Sequence, residues 1–359
     1  MRNIALFLAV VLLSFILTPG LSAANAETEY RRFSAVIYDV FDTMITLIGY
    51  AENENVFADH YVRVNAIFTE YHRLFDAYHT YDGIENLCSI NQKAGEGPVE
   101  VDQRLFDFLA WCIEQEEVFG TEQVNVAMGS VLQLWHNYRE AGLTSPETAS
   151  LPPMEQLAAA AEHMDIHNVI LDPDALTVYF ADPSLQLDFG AVAKGYTAQI
   201  AADYLAGSDM PSFILNAGGN VCAGQRKIDS GLLWGVGIQD PDILTGNNLF
   251  DTIFAENKAV VTSGDYQRYY TVDGQRYAHL ISPVTLMPAD TFRAVTVVSD
   301  DSALCDFLST LLFIADYDTG FSLVESLPGI EAMWIFPDRS CQYTSGMSAY
   351  LRSAGASNQ

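Results

Sequence analysis

The chain has 359 residues, 50% of them hydrophobic and 12% aromatic, which is ample material for a sizeable core. Asp and Glu number 46 against 17 Lys and Arg, for a formal net charge of −29. Such a field repels polyanions and excludes a nucleic-acid surface, and a diphosphate ligand would need local cations or a metal ion.

The first residues combine Arg2, an almost continuous apolar run from Ile4 to Leu17, Pro19-Gly20 and Ala24-Asn25-Ala26. A basic start, a short apolar core and a small-residue cleavage site read as a signal peptide over 1–26. The run is short for a membrane span, with an uncleaved anchor as the other reading. The remainder, 27–359, is expected to be one exported domain outside the cytoplasmic membrane, periplasmic or on the cell surface. Residues 33–49 read as a strand, and 56–78 and 102–119 carry helical periodicity. Ser, Thr and Pro cluster over 144–153, the one soft boundary, before an alanine-rich helix over 154–163. Residues 176–189 look strand-like, and 193–206 predict a helix closed by Gly207. Strands follow at 212–217, before a Gly218-Gly219 turn, and at 233–238 and 259–262. Segments 269–272 and 275–280 flank Asp273-Gly274 as a hairpin. A strand at 294–298 precedes a helix over 302–315, with Ser299, Asp300 and Ser302 as cap candidates. Early helices followed by strands mixed with two helices give an α+β class. The five cysteines are widely spaced without C-x-x-C and read as small core residues, and the seven histidines show no zinc-ligand spacing.

Two segments carry chemistry. Leu187-Asp188-Phe189-Gly190-Ala191-Val192-Ala193-Lys194-Gly195-Tyr196 closes the strand-like run and opens a helix. Its reading is either simple turn chemistry or an anion site, in which helix N–H groups and the Lys194 charge face a phosphate. Asp306 and Thr310 stand four apart on the helix over 302–315 and share a face. A carboxylate plus a hydroxyl is hard-oxygen chemistry suited to Mg²⁺. The surrounding apolar residues make that helix buried, and a buried Asp needs a partner. The Asn216-Ala217-Gly218-Gly219-Asn220 and Thr262-Ser263-Gly264-Asp265-Tyr266 segments each end a strand, and His279 leaves the hairpin nearby.

Taken in order, these motifs resemble the ApbE family, the FAD:protein FMN transferases of bacterial export compartments. The resemblance runs from Phe33 to Ala315 and includes Tyr81-Asp82-Gly83 ahead of Asn91. It implies an ApbE-like mixed sheet-and-helix fold and Mg²⁺ held by the Ala191 carbonyl, Asp306 and Thr310. It implies FAD contacts at Tyr81, Asn125, Asp188, Lys194, His279 and Ile281, with His279 either a base or a purely binding group. The implied reaction moves FMN from FAD to a threonine or serine hydroxyl of an acceptor flavoprotein subunit of an electron-transfer system, releasing AMP. A Mg²⁺-dependent FAD pyrophosphatase and a non-catalytic FAD carrier are the alternatives. The family's Asp-Pro-x-Thr-Gly-x-Pro run here reads Ser282-Pro283-Val284-Thr285-Leu286-Met287-Pro288, its Ala-Phe-Asp reads Gln123-Val124-Asn125, and its Met-Gly-Thr reads Phe41-Asp42-Thr43.

Overall fold

The computed structural model describes residues 29–121, 123–242 and 248–359; the signal-peptide reading over 1–26 lies outside them. In chain order the elements are β1 (Arg31–Val40), β2 (Thr43–Ala51), α1 (Glu54–Phe75), α2 (Leu87–Gln92), β3 (Val99–Glu100), α3 (Gln103–Phe119), α4 (Gly129–Thr144) and α5 (Met154–Ala161). Next come β4 (Val169–Asp172), β5 (Thr177–Phe180), α6 (Ala193–Ala206), β6 (Phe213–Ala217), β7 (Asn220–Ala223), β8 (Trp234–Gln239), β9 (Leu249–Ala255) and β10 (Lys258–Gly264). The chain finishes with β11 (Tyr269–Val272), β12 (Gln275–Ala278), β13 (Ala294–Ser299), α7 (Ser302–Ile314), α8 (Tyr317–Ser326), β14 (Glu331–Ile335) and β15 (Cys341–Tyr343).

An eight-stranded sheet in the order β1-β2-β6-β7-β10-β13-β14-β15 is the frame. Its neighbouring strands all pair antiparallel. Successive side chains point to opposite faces, so Ala259 and Val261 of β10 join the core on one face while Val260 joins the core on the other. Helices α1, α6 and α7 supply the first core, and the β8–β9 hairpin supplies the second. Burial on both faces explains why β13, with only Thr296 and Ser299 polar, and β14 after Glu331 are largely apolar rather than alternating. A third cluster, around Trp135, Leu157, Tyr270 and Leu286, packs α4 and α5 against the β11–β12 hairpin. The α+β reading therefore holds.

Several boundaries differ from expectation. The strand at 33–49 is a hairpin, turned by Phe41 and Asp42 at φ of 52° and 50°, conformations that periodicity does not reveal. The strand over 176–189 stops at Phe180, and only a single bridge from Gln186 to Met128 continues it. Helix α7 is capped by Asp301, whose carboxylate accepts from the Ala303 and Leu304 amides at 2.7 and 3.1 Å, rather than by its neighbours. Helix α4 escapes the sequence because it contains glycines at 129 and 142 and lacks a side-chain cap. Helices α2 and α8 and strands β3, β4, β7, β9, β14 and β15 likewise lie where the sequence reading placed no element. All five cysteines are free, and four are buried, as small core residues should be.

Candidate functional site

Helices α6 and α7 cross at a point where only glycine fits. A Cβ on Gly195 would lie 2.4 Å from the Asp306 Cβ and 2.4 Å from the Ser302 carbonyl oxygen. That closeness lets the Gly195 N–H donate to Asp306 Oδ2 at 2.7 Å. Gly195 occupies the first turn of α6, where N–H groups have no partner within the helix, so Asp306 caps α6 from across the interface. The expectation that these amides cradle a phosphate changes accordingly. Ala193 N donates to the Phe189 carbonyl at 2.9 Å, and Gly195 N is taken by the chain's own carboxylate. Lys194 remains as the charge at this helix end, its Nζ 3.9 Å from Asp306 Oδ2 and 3.3 Å from the Gly190 carbonyl. Burial pushes the Asp306 carboxyl above its ordinary value, against the opposing pull of Lys194, the Gly195 amide and the Asn220 side chain.

The segment before α6 is fixed on both sides. Asn91 mimics a neighbouring strand, donating to the Leu187 carbonyl and accepting from the Leu187 amide, both at 2.9 Å. Asp188 donates its own N–H to Val126 O, and its carboxylate accepts from Gly190 N at 2.7 Å and from the Tyr78 hydroxyl at 2.8 Å. Tyr78 also stacks on His136 with centroids 4.3 Å apart. Tyr81, the tyrosine named by the resemblance, donates its hydroxyl to Asp76 at 2.8 Å. Asn125 is spent internally, donating to Met164 O at 2.9 Å and accepting from Ala127 N at 2.7 Å. It braces the turn that leads into α4, and both ends of its amide are engaged in these bonds. Ile281 lies in the apolar cluster beside Met128 and Trp135, so what it offers is packing.

His279 hangs on one carbonyl, its N–H and its Nδ1 both lying 3.2 Å from Arg268 O. A carbonyl only accepts, so Nδ1 carries the proton and Nε2 is left as an acceptor. Burial pushes this imidazole down to about 3, and Arg268, Lys194 and Arg139 push the same way. The histidine is therefore neutral without ligand. The same three residues form a cationic group in an acidic chain; only Lys194 was visible beforehand. Arg268 reaches over to donate to the carbonyls of Phe41 and Asp42 at 2.9 and 2.7 Å, tying the β1–β2 turn to the hairpin.

Thr310 completes the arrangement. Its hydroxyl points at the Ala191 carbonyl at 3.4 Å, one turn of α7 beyond Asp306. Among the described residues no three His, Cys, Asp or Glu side chains converge, so a cation here would need mixed oxygen donors. The residues fit one. Asp306 is a buried carboxylate, Thr310 and Ala191 add oxygens, and the buried Asn220 Oδ1 beside Asp306 has no hydrogen-bond partner.

The sequence profile of the ApbE family matches residues 41–334. A FAD:protein FMN transferase from Treponema pallidum (strain Nichols) is 32% identical over 279 residues, covering 74% of this chain and 75% of the relative. One from Klebsiella pneumoniae (strain 342) is 31% identical, covering 70% and 75%. The fold matches the crystal structure of the ApbE protein from Thermotoga maritima at a TM-score of 0.76 and 23% identity, over 90% of this chain and 99% of that one. The flavin transferase ApbE from Vibrio cholerae superposes at 0.73 and 21% identity, over 90% and 99%.

Proposed function

The chain belongs to the ApbE family, and from that premise we propose that it transfers the FMN half of FAD to a hydroxyl of an acceptor protein, releasing AMP. The single observation that carries this reading is the junction of α6 with α7. There Gly195 permits an approach that puts a buried carboxylate, a lysine, a hydroxyl and a carbonyl together.

Asp306, Thr310 and the Ala191 carbonyl would hold Mg²⁺, and Asp188, Tyr78 and Lys194 line the adjoining wall for FAD. When bound, Mg²⁺ supplies charge neutralisation and polarisation at a diphosphate. The chain's own part is positioning and electrostatics, which dominate phosphoryl transfer. Lys194, Arg268 and Arg139 offset the acidic field where a diphosphate sits. In the transfer, the acceptor oxygen bonds to the flavin-side phosphorus, the bridging P–O bond breaks, and AMP departs with that bond's electron pair. The acceptor hydroxyl proton passes to His279 Nε2. Burial is the main cause of this imidazole's low basicity; a bound diphosphate neutralises the three cations that add to it and so raises the basicity on binding. The acceptor we have in mind is a threonine of an exported electron-transfer flavoprotein, with the enzyme itself outside the cytoplasmic membrane. Incubation with FAD, Mg²⁺ and a threonine-containing acceptor protein, followed by mass spectrometry, tests this. Acceptor heavier by one FMN phosphodiester, with AMP in equal amount, supports it. Free FMN plus AMP with unmodified acceptor would point to hydrolysis, and unchanged FAD to a carrier.

A further inference from the structure

Asn220 opens β7 directly after the Gly218-Gly219 turn and is 2% exposed. The turn leaves it no freedom. A Cβ on Gly218 would sit 2.2 Å from Thr43 Oγ1, and one on Gly219 3.3 Å from the Thr262 carbonyl. The backbone of Asn220 is paired on both sides, with Ala217 and with Val261. Its Nδ2 faces two acceptors, the Ala217 carbonyl at 3.4 Å and the Asp306 carboxylate. Those acceptors fix the amide's orientation, because only the NH₂ group can donate to them. Oδ1 is therefore the atom left buried without a partner. A buried amide oxygen normally has one, and leaving it unmade costs about 1–3 kcal/mol. Its neighbour is a carboxylate, which has nothing to donate once ionised. A cation, or the water bound to it, satisfies both oxygens at once.

We infer that Asn220 is a further member of the cation site: its NH₂ positions the Asp306 carboxylate, and its Oδ1 is an oxygen donor to the hydrated divalent ion. The inference rests on the reading of Asp306 and Thr310 as cation ligands. It adds a neutral donor to a set with one formal negative charge, consistent with a hard ion that keeps waters.

The test is binding of Mn²⁺ to the full chain without FAD, read by electron paramagnetic resonance and by calorimetry. Asn220→Leu keeps the volume and removes both hydrogen-bonding atoms. It should weaken Mn²⁺ binding about 10-fold or more, in the range usual for groups supporting a metal ligand. Asn220→Asp keeps the shape and replaces the NH₂ by a second anionic oxygen. It should tighten Mn²⁺ binding by at least about 10-fold and enlarge the rise in melting temperature between chelator and Mn²⁺. Should Asn220→Leu fail to fold, the Asp variant decides alone. Unchanged Mn²⁺ affinity in Asn220→Asp, with Asp306→Ala abolishing binding, would overturn the role of Asn220 and leave the ligand assignment standing. Normal Mn²⁺ binding in folded Asp306→Ala would remove the ligand assignment itself, and the role of Asn220 with it.

Discussion

Gly195→Ala adds one methyl where α6 meets α7. That methyl would stand 2.4 Å from both the Asp306 Cβ and the Ser302 carbonyl oxygen, and 3.1 Å from the Asp306 carboxyl carbon. Carbon atoms rest about 3.5–4.0 Å apart, so the helices must part by roughly 1 Å. Overpacking of this kind costs about 1–3 kcal/mol. The same separation stretches the 2.7 Å bond from Gly195 N to Asp306, a bond to a charged group whose full loss would cost about 1.5–3 kcal/mol. Alanine's better helix propensity offsets about 1 kcal/mol. The net expectation is a loss of roughly 2–4 kcal/mol by equilibrium urea unfolding in chelator. Gly207→Ala at the other end of α6 is the control. Its added Cβ meets nothing closer than 3.5 Å, so its stability should stay within about 1 kcal/mol of the parent. If Gly195→Ala is as stable as Gly207→Ala, the close approach is not what holds Asp306 in place and the reasoning fails.

Three further outcomes follow from the same geometry. Lys194→Ala removes the cation 3.9 Å from Asp306 and should weaken FAD binding, followed by flavin fluorescence, by about 10- to 150-fold, the equivalent of one charge-assisted bond; unchanged affinity would mean the lysine faces elsewhere. Burial raises the Asp306 carboxyl above 3.8 in the folded chain. In chelator, the stability this group contributes is present below that value and lost as pH rises through the raised one. Saturating Mg²⁺ should abolish that loss, and Mg²⁺ affinity measured by calorimetry should climb over the same window. For His279 the sign is opposite, since its folded value is depressed from 6.5 to about 3. Neutral His279 contributes stability above pH 6.5 that is lost as pH falls toward 3, on the order of a few kcal/mol. Unfolding titrations of His279→Gln from pH 7 to 4.5 should therefore show a flatter acid limb than the parent, and an identical limb would place the imidazole in a more solvated setting.

Much of this site was legible because its signals are local. Gly190 to Tyr196 could be read as a helix start, and the 306–310 spacing follows from helical geometry alone. The Asp273-Gly274 hairpin has both central residues at positive φ, 50° and 81°, as that dipeptide requires. What stayed hidden depends on partners far away in sequence. Nothing near Arg268 shows that it will bond the Phe41 and Asp42 carbonyls, and nothing near Tyr78 shows that it, rather than Tyr81, will reach Asp188. The departures from the family pattern became intelligible only with the backbone. Leu286 and Asp42 stand where the pattern has glycine, and both keep a left-handed conformation, at φ of 59° and 50°. Leu286 buries its side chain against Trp135, whose indole donates to the Leu286 carbonyl at 2.9 Å. That contact offsets the conformational strain, which no propensity scale anticipates.

Asp306 is the residue on which the proposed cation, the helix cap and the lysine all converge. The most direct measurement is AMP release from FAD by Asp306→Ala, with and without Mg²⁺, alongside its thermal unfolding. The account predicts a cooperatively folded protein that has lost Mg²⁺-dependent AMP release by at least about 100-fold, the scale of removing one preorganised electrostatic group. Normal Mg²⁺-dependent AMP release by a folded Asp306→Ala chain would contradict it.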